Sequence, residues 1–428
     1  MIKEGKKRGN LGQIIIEVTR KQHVLTILIL GALSTVSPFS IDMYLPGFPA
    51  IAKDLGTTMA NVHLSLTAYL VGIAVGQLIY GPLLDRFGRR APMYAGLGIY
   101  LVATVACAFS KSIDSLIIMR FLQAVGGCGG MVAAQALVRD LFPTNKTAQA
   151  FSSITLVIAV SPMIAPTVGG YLTVAFGWQS MFIVLAIVTS IILAAVHFML
   201  PEGRQADASL SLKPNAVMHN FLSVMKEPQF AVYTLAGGVA TSATFAFIAG
   251  SADVFINTYG VSERQYGWVF AFIATGIIGS SQLNHLLLKK FTNAELVRFP
   301  VIGQTIVGAV MVIGTMYGWF NMYGLLAIMF VFVCGQGIIG PNATALSLAP
   351  FSKLTGSAAA LLGSYRMAIG GVVSALVSVF HNGTSLPMVG MMVACPTSAL
   401  VIMTVGKATV RYHARKKALQ GEDNAVLM

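Results

Sequence analysis

Charge is scarce in this chain. Asp, Glu, Lys and Arg make up 10% of its 428 residues, against about 25% in an ordinary soluble protein. Only 15 of these residues are acidic, while 56% of the chain is hydrophobic, with a mean hydropathy of +0.76. That balance excludes a soluble globular domain. Cysteine is nearly absent: Cys107, Cys128, Cys334 and Cys395 all fall within apolar stretches at spacings that fit no metal site, which excludes a disulfide framework. The seven histidines, His23, His63, His197, His219, His285, His381 and His413, are scattered through loops and span ends and assemble no metal centre. No GKS or GKT phosphate loop and no nucleophile–base constellation is present, so ATP hydrolysis and other catalysis are excluded. The glycine-rich AVGGCGG at 124–130 lies inside an apolar run and reads as helix packing. The chain is expected to be no enzyme and to carry no cofactor or metal.

What is present is a series of apolar runs of the ~20 residues that a helix needs to cross a bilayer. Twelve can be drawn: 24–47, 61–84, 91–110, 115–138, 148–172, 179–200, 230–256, 266–288, 299–319, 322–346, 356–380 and 387–406. The net charge of +13 would suit a nucleic-acid partner, but its distribution removes that need. Of the 28 Lys and Arg, 23 lie in alternate loops and the two ends of the chain; three lie in the opposite loops (Lys53, Lys111, Arg264), and two lie inside spans (Arg120, Arg366). This is the positive-inside pattern. It predicts a multi-pass membrane protein with both termini cytoplasmic. The basic segment 1–23 leads into a first span without a small-residue cleavage site, so that span reads as retained.

The longest internal polar stretch divides the spans evenly. The expected organisation is an N-terminal arm (1–23), a six-helix bundle (24–200), a linker (201–229), a second six-helix bundle (230–406) and a tail (407–428). A faint repeat supports duplication: Ser40-Ile41-Asp42-Met43-Tyr44-Leu45 matches Ser251-Ala252-Asp253-Val254-Phe255-Ile256 at an offset of 211 residues. Transporters are commonly built this way, with a site between the halves.

The order of short motifs narrows this further. GPLLDRFGRR (Gly81 to Arg90) joins spans two and three, RFLQAVGGCGG carries Arg120 on span four, and SPMIAPTVGG (Ser161 to Gly170) lies on span five. These resemble, in order, the loop signature, the second motif and the antiporter motif of the major facilitator superfamily. DMYLPGFP from Asp42, GWQSMF from Gly177 and PNATAL from Pro341 make the chain similar to the Bcr/CflA group of bacterial drug exporters within it. The resemblance implies an all-α membrane protein of the major facilitator fold, with twelve helices in two pseudo-symmetric halves. It implies a conformational latch at Gly81, Asp85 and Arg89, against the plainer reading that the arginines only orient the loop. It also implies a leak-sealing segment at Pro162, Pro166, Gly169 and Gly170, against a purely structural kink that lets span five pack closely on span one or span eight.

Asp42 is the sharpest site, because a carboxylate at depth costs about 2.5–3.5 kcal/mol to insert and is retained where it faces a cavity or a partner. Span one runs outward and span four inward, which puts Asp42 and Arg120 at one depth, ~7 Å from the outer boundary at ~1.5 Å per residue. They are expected to be able to pair, either as a proton-coupling couple or as a static packing pair. Asp253, at the same depth by the repeat, is a second titrating group or a residue half in water at a span end. Arg366 lies deeper and points to an anionic or carboxylate-bearing substrate. Relatives in the resembled group usually have an apolar residue at the position of Asp253 and often Gln at that of Arg366. Some also carry a second acidic residue where this chain has Ser34, which favours neutral or zwitterionic compounds. Phe39, Tyr44, Tyr69, Gln77, Met131, Phe245 and Phe272, with Arg366, are the expected cavity residues, with ordinary helix packing as the competing explanation for each.

Together these point to a proton-coupled exporter of small drug-like molecules that works by alternating access, and the resemblance implies a monomer in the bacterial cytoplasmic membrane. Its partners would be substrate, protons and the bilayer, with no nucleic acid. The rivals are a transporter of a natural metabolite (amino acid, peptide or siderophore) and a transport-dead membrane scaffold.

Overall fold

The computed structural model describes residues 20–142, 144–203, 206, 214–351 and 355–419, which are helical with no strand among them. The first expected span is divided. Helix α1 (Arg20–Asp42) stops short, a 3₁₀ turn follows at Leu45–Gly47, and α2 (Phe48–Asp54) completes the crossing. Pro46 and Pro49 explain the division, because each removes a backbone donor from the helical ladder. Asp42 therefore ends α1, within a crossing that continues past it to Asp54.

The rest of the first half is regular. It contains α3 (Met59–Phe87), α4 (Arg90–Ala108), α5 (Ile113–Leu141), α6 (Thr144–Phe176) and α7 (Gln179–Met199). Thr58 and Ser112 cap α3 and α5 by accepting from the backbone N–H three residues on, the usual satisfaction of orphan donors at a helix start. Gly88 (φ +78°) makes the sharp exit from α3 that a side chain would resist. Within the expected linker the structure places a helix, α8 (Pro214–Met225), whose Phe221 and Val224 are buried; Val224 packs with Phe230, Ala358 and Leu362 of the second half.

The second half contains α9 (Pro228–Thr241), α10 (Ala243–Ala252), α11 (Glu263–Leu287), α12 (Asn293–Met316), α13 (Met322–Leu348), α14 (Thr355–Val379) and α15 (Leu386–Leu419). The seventh expected span is broken between α9 and α10 and ends in a wide π turn at Asp253–Thr258. Among the described residues, eleven crossings are long and apolar enough to span a membrane. The twelfth is α11, which is long enough but polar toward its end, where Ser280, Ser281, Gln282, Asn284 and His285 cluster.

We term the end bearing Arg86, Arg89 and Arg90 the basic end and the other the far end. The halves meet along two seams, α3 against α14 and α6 against α11. The α3–α14 seam runs the length of the bundle. Ser378 Oγ donates to the Ala60 carbonyl (2.6 Å), Thr67 Oγ1 donates to Ser374 Oγ (3.1 Å), Gln77 abuts Gly363, and Gly81 approaches Ala360 near the basic end. At the far end of the α6–α11 seam, side-chain atoms at Gly170 or Gly267 would run into the carbonyl of Glu263 or the backbone of Thr167. Small residues permit this backbone approach, which substitutes for the hydrophobic drive that lipid does not supply.

Candidate functional site

Arg120 does not pair with Asp42. Its guanidinium is fully buried, and Nη1 donates to Gln123 Oε1 (2.7 Å) while Nη2 donates to the Ser40 carbonyl (3.0 Å). That carbonyl is free because α1 ends two residues later, and the last four carbonyls of a helix have no intrahelical donor. The early end of α1 thus redirects the arginine from the carboxylate to the backbone. Tyr69 and Tyr44 lie over its charge at 4.1 and 4.4 Å, and Phe182 at 5.8 Å, within cation–π range. Gln123 Nε2 in turn donates to Thr104 Oγ1 (2.8 Å), while Arg120 Nε has no partner. Tyr44 and Tyr69, expected at a cavity, are buried as walls of this box.

Asp42 is 5% exposed and makes no ion pair or hydrogen bond among the described residues. It lies near Tyr266 of α11 in the other half, a residue hydrogen-bonded to Ser251 (2.6 Å). A buried carboxylate without a protein partner, beside the seam between the halves, can hold a proton in one arrangement and lose it to water in another.

The structure assembles a second titratable group at the far end, of which sequence reasoning found only Asp253. Asp253 is buried, and its Oδ2 lies 2.7 Å from His381 Nε2 while Oδ1 accepts from Asn257 Nδ2 (2.8 Å). The His381 ring stands edge-on to that of His63 on α3, at 5.9 Å, and His63 also packs on Phe48 (5.4 Å). His63 is fully buried and neither ring nitrogen has a hydrogen-bond partner. His63 and His381 read as unremarkable span-end residues in sequence; the one available signal was the Asp253 that the repeat singled out.

The expected latch is a network within the first half. Arg89 Nη1 donates to Asp85 Oδ1 (2.8 Å) and the Leu84 carbonyl (3.0 Å), and Arg89 Nε donates to Asp140 Oδ2 on α5 (2.8 Å). Burial alone would lower the pKa of Arg89, but its bonds to Asp140 and Asp85 outweigh this and raise it. Arg90 pairs with Glu202 after α7 (2.9 Å). Gly81 provides the approach to the second half, 3.7 Å from a Cβ placed there to that of Ala360. On α6, Pro162 and Pro166 lie inside a continuous helix, Gly169 abuts the Met43 carbonyl and Gly170 that of Glu263, so the motif contacts both the first and the eighth crossing.

The remaining expected cavity residues are dispersed. Phe39, Met131 and Phe245 are half-buried against the core, Gln77 lies on the α3–α14 seam, and Phe272 is exposed and stacks on Phe330 (4.7 Å). Arg366 donates through Nη2 to the Gly340 carbonyl (3.1 Å), with no ion pair to Asp253. Two crevices lie on outward faces. One of about 480 Å³ lies between α11, α12 and α13 beside Phe330 and the exposed Val331, and one of about 580 Å³ lies between α4 and α7 beside Tyr94 and Phe198. None of the expected residues lines either. No cluster of three or more metal-ligating side chains occurs among the described residues.

Residues 30–375 match the family described as Major Facilitator Superfamily. The chain is 32% identical over 378 residues to a bicyclomycin resistance protein homolog of Haemophilus influenzae, covering 88% of this chain and 94% of that one. It is 29% identical over 388 residues to a chloramphenicol resistance protein of Pseudomonas aeruginosa, covering 88% and 89%. Among solved structures it resembles a D-xylose–proton symporter, with a TM-score of 0.68 at 18% identity over 89% of this chain and 96% of that one.

Proposed function

Because the chain belongs to the Major Facilitator Superfamily, whose members are transporters and not enzymes, we propose that it exports small drug-like molecules by alternating access, driven by protons moving inward. Its relatives named for bicyclomycin and chloramphenicol resistance support the substrate class. The observation that carries the coupling is Asp42, a buried carboxylate with no protein partner at the seam between the halves. In this reading the basic end faces the cytoplasm of a bacterial inner-membrane monomer. The far end opens to load a proton onto Asp42; closure there and opening at the basic end release it and admit substrate. Asp253, bound to His381, adds a second proton-binding group, and Arg120 fixes the end of α1 that carries Asp42. The half-buried Phe39, Met131 and Phe245 and the seam residue Gln77 line the path as the halves separate.

The test is a panel of minimum inhibitory concentrations in a host without its own pumps, with vesicle export driven by a pH gradient. Wild type should raise resistance to bicyclomycin or chloramphenicol, and Asp42→Asn should abolish gradient-driven export while remaining folded in the membrane. Undiminished export by Asp42→Asn removes Asp42 from the coupling. Unchanged sensitivity across the panel favours the second reading, a metabolite transporter, which Arg366 supports.

A further inference from the structure

Arg366 is a permanent charge without a counter-charge. It lies on α14 between positions 355 and 379, ~16 Å along the axis from the helix start at ~1.5 Å per residue, and hence deep in the bundle. From residue 230 to 406 the chain holds three acidic residues, Asp253, Glu263 and Glu295. Asp253 is engaged with His381, Glu295 closes the cap of α12, and Glu263 opens α11 at the far end. Arg366 makes no ion pair among the described residues; its protein hydrogen bond goes to the Gly340 carbonyl, and Nε is buried with no partner. An arginine cannot shed its proton to relieve this.

Gly340 faces the end of α9, where a Cβ placed on it would lie in van der Waals contact with Thr241, at 3.9 Å. Thr241 is the last residue of α9, where the seventh crossing breaks before restarting as α10 at Ala243. The break is the single residue Ser242, buried and helical in conformation, whose N–H and Oγ both donate to the Gly238 carbonyl. Gln336 Nε2 pins the break from α13 through the Ala240 carbonyl (3.0 Å). Residues flanking Arg366 straddle it, with Tyr365 against Gly238 on one side and Gly370 against Phe245 on the other.

The geometry points to Arg366, uncompensated deep in the second half, as the anchor that binds a carboxylate on the transported molecule. A single guanidinium matches a monoanion; a phosphate would call for a second cation. The inference rests on the second reading, a metabolite transporter, whose substrate class it names, and it is tested apart from transport. Purified full-length protein in nanodiscs is titrated with benzoate and with benzamide, neutral and of the same shape, and the thermal midpoint is followed. Benzoate should stabilise wild type by mass action and benzamide should not. Arg366→Gln should weaken benzoate about ten- to hundredfold, the loss of a charge-assisted bond, and Arg366→Lys should retain part of the affinity. No preference for benzoate in wild type, or equal affinity in a folded Arg366→Gln, overturns the site; should Arg366→Gln fail to fold, the wild-type comparison and Arg366→Lys still decide. Parallel counterflow of chloramphenicol and its succinate half-ester reports on the transport reading. Absence of any counterflow with the benzoate effect intact would overturn drug export and leave the anion site standing.

Discussion

Replacing Arg120 with Lys separates the aromatic box from the alternative of a pair with Asp42. Lysine keeps the charge but offers a point donor where arginine offers a planar fork. It can reach Gln123 Oε1 or the Ser40 carbonyl, at 2.7 and 3.0 Å from the two guanidinium nitrogens, but not both in that geometry. One charge-assisted bond, at about 1.5–3 kcal/mol, is lost, along with part of the stacking between Tyr69 and Tyr44, at about 0.5–1 kcal/mol. We expect Arg120→Lys to cost about 2–4 kcal/mol. The assay is denaturant unfolding in mixed micelles, read at the midpoint with an unchanged slope. The same substitution is made in an Asp42→Asn background, where the two costs should add within about 0.5 kcal/mol. A variant as stable as wild type refutes the box. A cost that shrinks by more than about 1 kcal/mol without the Asp42 charge restores the pair.

Three further outcomes follow from the geometry. Asp140→Asn should cost about 2 kcal/mol in the same unfolding assay because it strips a buried guanidinium of a largely buried partner; Asp85→Asn should cost less than about 1 kcal/mol because Asp85 is 53% exposed, and the reverse order refutes the assignment. Gly169→Ala should lower the thermal midpoint clearly, since its methyl meets the Met43 carbonyl, at a cost of about 1–3 kcal/mol, whereas Gly81→Ala, with 3.7 Å to Ala360, should be nearly neutral. Burial raises the pKa of Glu263 above its ordinary value. Its folded state therefore binds the proton more tightly than the unfolded chain, and stability is full at low pH and falls as pH rises through the folded pKa. Glu263→Gln should be more stable than wild type at pH 7 and equal to it near pH 4; a destabilised variant at pH 7 shows that the charge is used.

The apolar runs and basic loops made the crossings legible, because hydropathy and Lys/Arg placement act locally along the chain. The proline pairs were visible too, but the end of α1 at Asp42 required weighing Pro46 and Pro49 against a run that otherwise reads as continuous. The destination of Arg120 was not legible. Depth placed it beside Asp42, and only the free carbonyl of Ser40 decides between them. The far-end cluster joins His63 to residues more than 180 positions away, and no periodicity reports such a contact. The latch residues were found, but their partner Asp140 was not, because a carboxylate at the end of α5 resembles any loop charge.

His63 is enclosed so completely that both ring nitrogens are sealed from solvent and from every hydrogen-bond partner. Its ring hydrogens can exchange with heavy water only while the bundle parts at that end. The slow uptake of deuterium at the C2 position of this one imidazole, followed by mass spectrometry, therefore reports the fraction of time that the far end stands open. The ring serves as an intrinsic gauge of that open population.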